Sequence, residues 1–200
     1  MSPCVDTLAV RCLAGCDLHP YLADVARLRM TVFRDWPYLY DGDMAYERDY
    51  LAAYASSPRS VFVLAMDGDA VVGVSTGVPL AEDAPAFRVP FQACGIDVDT
   101  VFYFGESVLL PAYRGRGLGH AFFDHREAHA RGLGGFSLAA FAAVDRDDRD
   151  TRRPVDHRGN EAFWQKRGYT RQSGMTMRLA WNELGHGETD HALTFWTRPL

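Results

Sequence analysis

The chain has 200 residues, 48% of them apolar and 24% charged, and carries a net charge of −5. That length suits one domain with a substantial core, so residues 1–200 are read as a single domain. The acidic balance argues against a general nucleic-acid binder, which carries a basic face, and no apolar run approaches the ~20 residues of a membrane span.

The N-terminus, "MSPCVDTLAV", has no basic stretch ahead of an apolar run, so no secretory signal is read and the cytoplasm is the expected location. "TLAVRCLA" (Thr7–Ala14) alternates and predicts a first strand. Leu22, Val25, Leu28 and Val32 recur at helical spacing between His19 and Phe33. "RDWPYLYDGD" then interrupts the pattern with Pro37 and Gly42. A second helix is predicted from Tyr46 to Ala55, ending before Pro58. "SVFVLAMDGDAVVGVSTGVPL" holds two β-rich runs around Asp67-Gly68, a hairpin signal. Pro79 to Asp99 is a long connection with one short helix near Phe91. "TVFYFGESVLL" (Thr100–Leu110) is almost wholly apolar and predicts a central strand.

A helix from Gly117 to Arg131 follows, then a buried strand in "GFSLAAFAAV" and a charged loop from Asp145 to Gly159. "NEAFWQKRGY" reads as a short helix, with Asn160 as N-cap and Gly168 at its end. "GMTMRLAWNE" and "HALTFWTRPL" close the chain as strands. The order β-α-α-β-β-β-α-β-α-β-β implies an α/β (α+β) fold: a mixed, mostly antiparallel sheet of about seven strands flanked by about four helices.

"LLPAYRGRGLGHAFFD" (Leu109–Asp124) places Gly115, Gly117 and Gly119 where a strand runs into a helix. Glycine in a helix costs roughly 1 kcal/mol relative to alanine. Two gains would offset this. The unpaired N–H groups and positive dipole of a helix start bind anions, and glycines let a phosphate approach them. The other is a tight turn with close helix–sheet packing. A P-loop is excluded because no lysine or hydroxyl follows the glycines, and G-x-G-x-G is not the dinucleotide spacing G-x-G-x-x-G. The pattern that fits is R-x-x-G-x-G, with Arg114, Gly117 and Gly119.

"VLLPAYRGRGLGHAFF" resembles the acetyl-CoA-binding motif of the GNAT (general N-acetyltransferase) superfamily, and "NEAFWQKRGY" resembles a later motif of that family. The resemblance implies a single GNAT-like domain that uses acetyl-CoA or another acyl-CoA as co-substrate, with an amine as acceptor. The backbone of Gly115, Arg116, Gly117, Leu118 and Gly119 would hold the pyrophosphate, with charge added by Arg114 and Arg116. Val108, Leu109 and Leu110 would splay from the neighbouring strand and bond the pantetheine arm. Asn160 and Phe163 would border that arm from the other side.

The implied chemistry is direct attack of an amine on a thioester. An alkyl amine with a pKa of ~10.4 is neutral in only about one molecule per thousand at pH 7, so a base or a water chain must take its proton. Glu106 is the candidate base, because a carboxylate in an apolar central strand is costly without a partner or purpose. A structural, hydrogen-bonded carboxylate is the other reading of Glu106. The family's usual acid is a tyrosine four residues before the late glycine; Trp164 stands there, and an indole N–H does not titrate as an acid. Tyr169 or another tyrosine, or water, is left for that role. In the loop Trp36, Pro37, Tyr38, Leu39, Tyr40, Asp41, Gly42, Asp43, the residues Tyr38, Tyr40 and Asp41 are candidates for holding a cationic amine.

"HREAH" (His125–His129) has its glutamate misplaced for a zinc-protease motif, and Cys4, Cys12, Cys16 and His19 match no compact zinc spacing. No metal is therefore expected. "DRDDRDTRRPVDHR" (Asp145–Arg158) holds five aspartates and five arginines, and reads as a solvated loop near the cofactor mouth. The leading function is N-acetylation of a primary amine of a small molecule or peptide. The competing class is a non-catalytic acyl-CoA-binding or regulatory module. An aminoacyl-tRNA acceptor is disfavoured by the charge, so neither a nucleic-acid nor a membrane partner is expected. The expected assembly is a monomer or homodimer.

Overall fold

The computed structural model describes residues 8–200. Cys4 and Thr7, named above, lie outside the described residues. The elements are β1 (Leu8–Leu13), α1 (Leu22–Phe33), α2 (Met44–Ser56), β2 (Val61–Asp67), β3 (Ala70–Pro79), α3 (Pro85–Ala93), β4 (Val101–Tyr103), β5 (Ser107–Leu109), α4 (Leu118–Leu133), β6 (Leu138–Val144), α5 (Glu161–Lys166), β7 (Thr170–Glu183) and β8 (Gly187–Pro199). The sheet order is β1-β2-β3-β4-β6-β8-β7, with β5 pairing β3 beyond β4. Only β4 and β6 run parallel among these pairs, so the mixed, mostly antiparallel sheet expected from the sequence is present.

The sheet carries helices on both faces, and β2 records this directly. Its alternating residues divide between two clusters. Phe62, Leu64 and Met66 pack with Val25, Leu28 and Leu51 of α1 and α2, while Val61, Val63 and Ala65 pack with Phe122 and Phe123 of α4. The parallel β4–β6 pair is joined by α4, which a parallel connection requires. Asp43 caps α2 by accepting from Tyr46 N–H (2.9 Å), the role its position before the helix suits it for.

The short helix expected near Phe91 is present as α3, and the described residues hold one strand more than expected. The extra strand arises because the single predicted strand Thr100–Leu110 is broken at Gly105-Glu106. There Gly105 N–H donates to Thr76 O (3.1 Å), Thr76 N–H donates to Glu106 O (3.1 Å), and Glu106 N–H donates to Thr76 Oγ1 (3.2 Å). A Cβ at residue 105 would meet Thr76 Oγ1 at 2.6 Å and the Tyr54 hydroxyl at 3.1 Å, so only glycine fits this close approach.

Candidate active site

The break opens the sheet. β4 pairs with β6 as far as Tyr103 and Ala140, and Phe104 N–H adds a last bond to Ala140 O (2.7 Å). Beyond that point β5 pairs with β3 while β6 continues along β8. The strands part, and a cavity of about 1030 Å³ fills the gap, running from Arg114 and Gly115 to Glu106 and Tyr38. It lies at the large end of small-molecule sites.

At the first end, Gly117 is the N-cap of α4 at φ 83°, and Gly115 has φ 76°. Both are left-handed conformations that favour glycine. No heavy atom lies within 4 Å of a Cβ built at either, and one at Gly119 would touch only Phe163, at 3.7 Å. These glycines therefore do not serve close helix–sheet packing, the second reading open at the level of sequence. No side chain caps α4, and His120 and Ala121 donate to Gly117 O (2.9 and 3.2 Å). The N–H groups of Leu118 and Gly119 are thus left without an intrahelical acceptor. Arg114 folds back, with Nε donating to Leu109 O (3.2 Å), and the Arg116 guanidinium lies 5.4 Å from the Tyr113 ring centre.

Along β5 the register decides which backbone groups face the cavity. Glu106 O accepts from Thr76 N–H, and Leu110 N–H donates to Val72 O (3.0 Å). By the alternation of an antiparallel ladder, Val108 also turns its backbone to β3, whereas Ser107 and Leu109 turn theirs to the cavity. Of the three residues expected to bond a ligand arm, Leu109 has outward backbone groups, and Val108 and Leu110 do not. Ser107 joins it, a residue that strict two-residue alternation along the strand would have found.

Glu106 is 6% exposed on the cavity wall. Its Oε2 takes an ion pair from Arg29 Nη1 (2.7 Å) and a hydrogen bond from the Tyr50 hydroxyl (3.2 Å), while Oε1 is buried without a partner. Arg29 also binds the fully buried Glu47, so two carboxylates share one guanidinium. Burial alone would weaken the charge on Arg29, but the acids of Glu106 and Glu47 outweigh it and hold the guanidinium well above its ordinary value. Behind the break lies Arg126, 1% exposed. Its Nη1 donates to Thr76 O and Glu106 O (3.2 Å each), and its guanidinium sits 4.2 Å from the Phe104 ring centre. Burial pulls its pKa down to about 10.

The other end of the cavity is roofed by two loops. Arg146 donates to Pro37 O (2.6 Å) and Tyr38 O (3.0 Å) and pairs with Glu183 (2.7 Å). Trp181 Nε1 also donates to Tyr38 O (3.0 Å), and Arg152 reaches Glu183 (3.0 Å). The Asp145–Arg158 segment is therefore not simply a solvated loop: Arg146 ties it to the loop after α1 and to the β7–β8 hairpin. Of the candidate acceptor residues, Tyr38 lines the cavity, with burial pushing its hydroxyl up to about 12. Tyr40 lies beside Glu47 and Asp41 pairs with Arg34 (3.1 Å); neither lines the cavity.

A family model described as the acetyltransferase (GNAT) family matches residues 25–169. The chain belongs to this family. No curated protein matches the sequence. Among solved structures, an acetyltransferase from Streptococcus agalactiae 2603 is similar at 16% identity and a TM-score of 0.61, with 97% of this chain and 99% of that chain covered. A GCN5-related N-acetyltransferase from Kribbella flavida has 23% identity and a TM-score of 0.57, with both chains covered in full. A Salmonella typhimurium protein solved with its cofactor acetyl-CoA has 13% identity and a TM-score of 0.54, over 97% of this chain and 94% of that one. These likenesses establish the GNAT fold.

Against that family background, the far wall of the cavity holds Asn160, Phe163 and Trp164. Asn160 stands at the N-cap of α5, yet its side chain caps nothing and only its carbonyl accepts, from Trp164 N–H (2.9 Å). Phe163 packs on His120 and Phe123. Trp164 packs on Phe141 and Trp196. Tyr169 is withdrawn from the site: its buried hydroxyl donates to Glu127 (3.1 Å), and burial, then the Glu127 charge, push it far above its ordinary value. Within "HREAH" the buried members are Arg126 and Glu127, while His125 is exposed. Among the described residues no group of three or more His, Cys, Asp or Glu is placed to hold a metal ion, and no helix is long and apolar enough to cross a membrane.

Proposed function

We propose that the chain moves an acetyl group from acetyl-CoA to the primary amine of a small molecule or peptide, by direct attack in a ternary complex. The observation that carries this reading is one continuous cavity joining an unblocked helix start to a buried carboxylate. The cradle fits the co-substrate because the space above Gly115 and Gly117 is clear. When bound, acetyl-CoA supplies an activated acyl carbon. The N–H groups of residues 115–119 bind its pyrophosphate, with Arg114 and Arg116 adding positive charge. The outward backbone groups of Ser107 and Leu109 bond the amide arm, and Asn160 and Phe163 line its other side.

Glu106 takes the proton from the acceptor ammonium on its free Oε1. Arg29 and Tyr50 hold the other oxygen and so fix the carboxylate's aim. Tyr38 is the member of the loop after α1 that meets the acceptor, while Tyr40 and Asp41 hold the loop's shape. The leaving sulfur, with a thiol pKa of ~8.5, departs as a thiolate without an obligatory acid. The test is thiol release from acetyl-CoA across a panel of amines. Glu106→Gln keeps shape and hydrogen bonding, and should lower kcat/KM roughly 10²–10⁴-fold with CoA affinity unchanged. A loss below about threefold would make Glu106 structural.

Trp164, packed into an aromatic cluster where a proton-donating tyrosine is usual, keeps a second reading in play: a non-catalytic acyl-CoA-binding module. Tight CoA binding with no thiol release from any amine would favour it.

A further inference from the structure

Glu106 stands at the head of a row of polar groups that leads away from the cavity. Its Oε2 accepts from the Tyr50 hydroxyl (3.2 Å). The Tyr54 hydroxyl is the next polar group beside that of Tyr50. The Tyr54 hydroxyl donates to Asp83 Oδ2 (2.7 Å). The two tyrosines are four residues apart on α2, with ring centres 5.1 Å apart, so the helix itself sets their hydroxyls side by side. Asp83 follows the short helical turn Leu80–Glu82 after β3 and is half-buried, so the row ends where water reaches. Gly105 leaves room for it, since a Cβ there would come within 3.1 Å of the Tyr54 hydroxyl.

We propose that this row is the exit path for the proton taken from the acceptor amine, running from Glu106 through Tyr50 and Tyr54 to Asp83 and then to water. The inference rests on the acetyltransferase reading above.

The step balances. The ammonium N–H bond breaks, leaving the electron pair on nitrogen for attack, and an O–H bond forms on Glu106. A half-turn of the carboxyl group presents that proton to the Tyr50 oxygen. Tyr50 first turns its hydroxyl from Glu106 to Tyr54 and passes that proton on, Tyr54 passes its own to Asp83, and both hydroxyls then turn back. Asp83 gives one proton to water, and every group returns to its starting state. Neither tyrosine has to ionise. This matters because burial first, with Glu106 next for Tyr50 and the Tyr50 and Asp83 charges next for Tyr54, holds both hydroxyls well above their ordinary range. Asp83 suits the outlet. Burial raises its carboxyl despite the bonds from Tyr54 and the Ala84 N–H, which lower it, so it holds a transient proton better than a surface acid does. The charged and titratable groups facing it are Tyr50, Tyr54, Tyr103, Glu106 and Arg88.

The experiment compares Tyr54→Phe, which keeps the ring and deletes one hydroxyl, with Asp83→Asn at the outlet. Both variants should bind CoA within about twofold of the wild type while kcat falls roughly 10–100-fold. Their solvent deuterium isotope effect on kcat should exceed that of the wild type, because proton exit becomes limiting. In the substrate-free protein, the side-chain carboxyl resonance of Asp83 should titrate at higher pH after Tyr54→Phe, which removes a bond to the charged form. Variants that bind CoA and turn over with wild-type kcat and isotope effect overturn the relay, as does an Asp83 titration that Tyr54→Phe leaves unmoved. If Tyr54→Phe does not fold, Asp83→Asn decides alone. A wild type that binds no CoA and releases no thiol overturns the acetyltransferase reading itself, and the relay falls with it.

Discussion

Gly117 and Gly119 separate a phosphate cradle from a mere turn, because their substitutions should move stability and affinity in different directions. At Gly117 a side chain meets open space, so the folding cost of Gly117→Ala is the left-handed conformation alone. That costs about 1–2 kcal/mol, or roughly 2–8 °C in Tm for a chain of this size. Gly119 has no positive φ, and its Cβ would make only ordinary contact with Phe163 at 3.7 Å. Alanine there gains helix propensity, up to about 1 kcal/mol, so Gly119→Ala should leave Tm unchanged or raise it by roughly 2–4 °C. If the first N–H groups of α4 receive a pyrophosphate, each added methyl stands between them and the anion. CoA should then bind at least about tenfold more weakly, near 1.4 kcal/mol, in both variants. Thermal melts and calorimetric titration with CoA supply the two readouts. Unchanged CoA affinity in both proteins would refute the pyrophosphate assignment.

Three further outcomes are expected. Arg126→Met keeps the bulk but deletes the donors to Phe122 O, Thr76 O and Glu106 O. It should cost about 2–3 kcal/mol, roughly 4–12 °C, and an unchanged melt would mean that neighbouring N–H groups already satisfy those carbonyls. Tyr38→Phe should raise KM for the acceptor, whereas Tyr40→Phe and Asp41→Asn should alter the melt more than KM; the reverse pattern would move the acceptor contact to Tyr40 and Asp41. The roof should loosen in acid. Burial raises the Glu183 carboxyl, but Arg146 and its other partners outweigh this and hold it below its ordinary value. A depressed acid stabilises the fold above its unfolded pKa of ~4.3 and loses that contribution as pH falls through the folded value. Tm should therefore drop with pH below about 4, and Glu183→Gln should flatten that limb while lowering Tm at neutral pH.

Local signals in the sequence were the ones that read correctly. Asp67-Gly68 forces a turn by its own conformational preference, and Gly68 indeed has φ 58°. The R-x-x-G-x-G run marks a helix start whose geometry is set within a few residues. Glu106 stood out as a lone carboxylate among apolar neighbours. What escaped was set by residues distant in sequence. Arg126 and Glu127 look like surface charges of an amphipathic helix, yet one fills the gap behind the Gly105-Glu106 break and the other gathers Arg167, Arg198 and Tyr169. Arg146 sits in a run whose charges cancel on paper, and its partners are carbonyls more than a hundred residues earlier. No local pattern encodes such pairs.

The Gly105-Glu106 break explains why so much of the site gathers at one place. A strand that continued regularly from Thr100 to Leu110 would keep pairing with β6 and close the cavity. Glycine at 105 lets the backbone approach Thr76 and the Tyr54 hydroxyl, and that approach ends the β4–β6 ladder. The same kink turns the Glu106 side chain toward Arg29 and Tyr50 while giving its carbonyl to Arg126. Opening the sheet and seating the carboxylate are therefore one structural event. Gly105→Ala should accordingly disturb fold and chemistry together. It needs no contact with either substrate to do so, because the added methyl would lie 2.6 Å from Thr76 Oγ1. Gly115 and Gly117, by contrast, stand in open space, where an added methyl meets no protein atom within 4 Å.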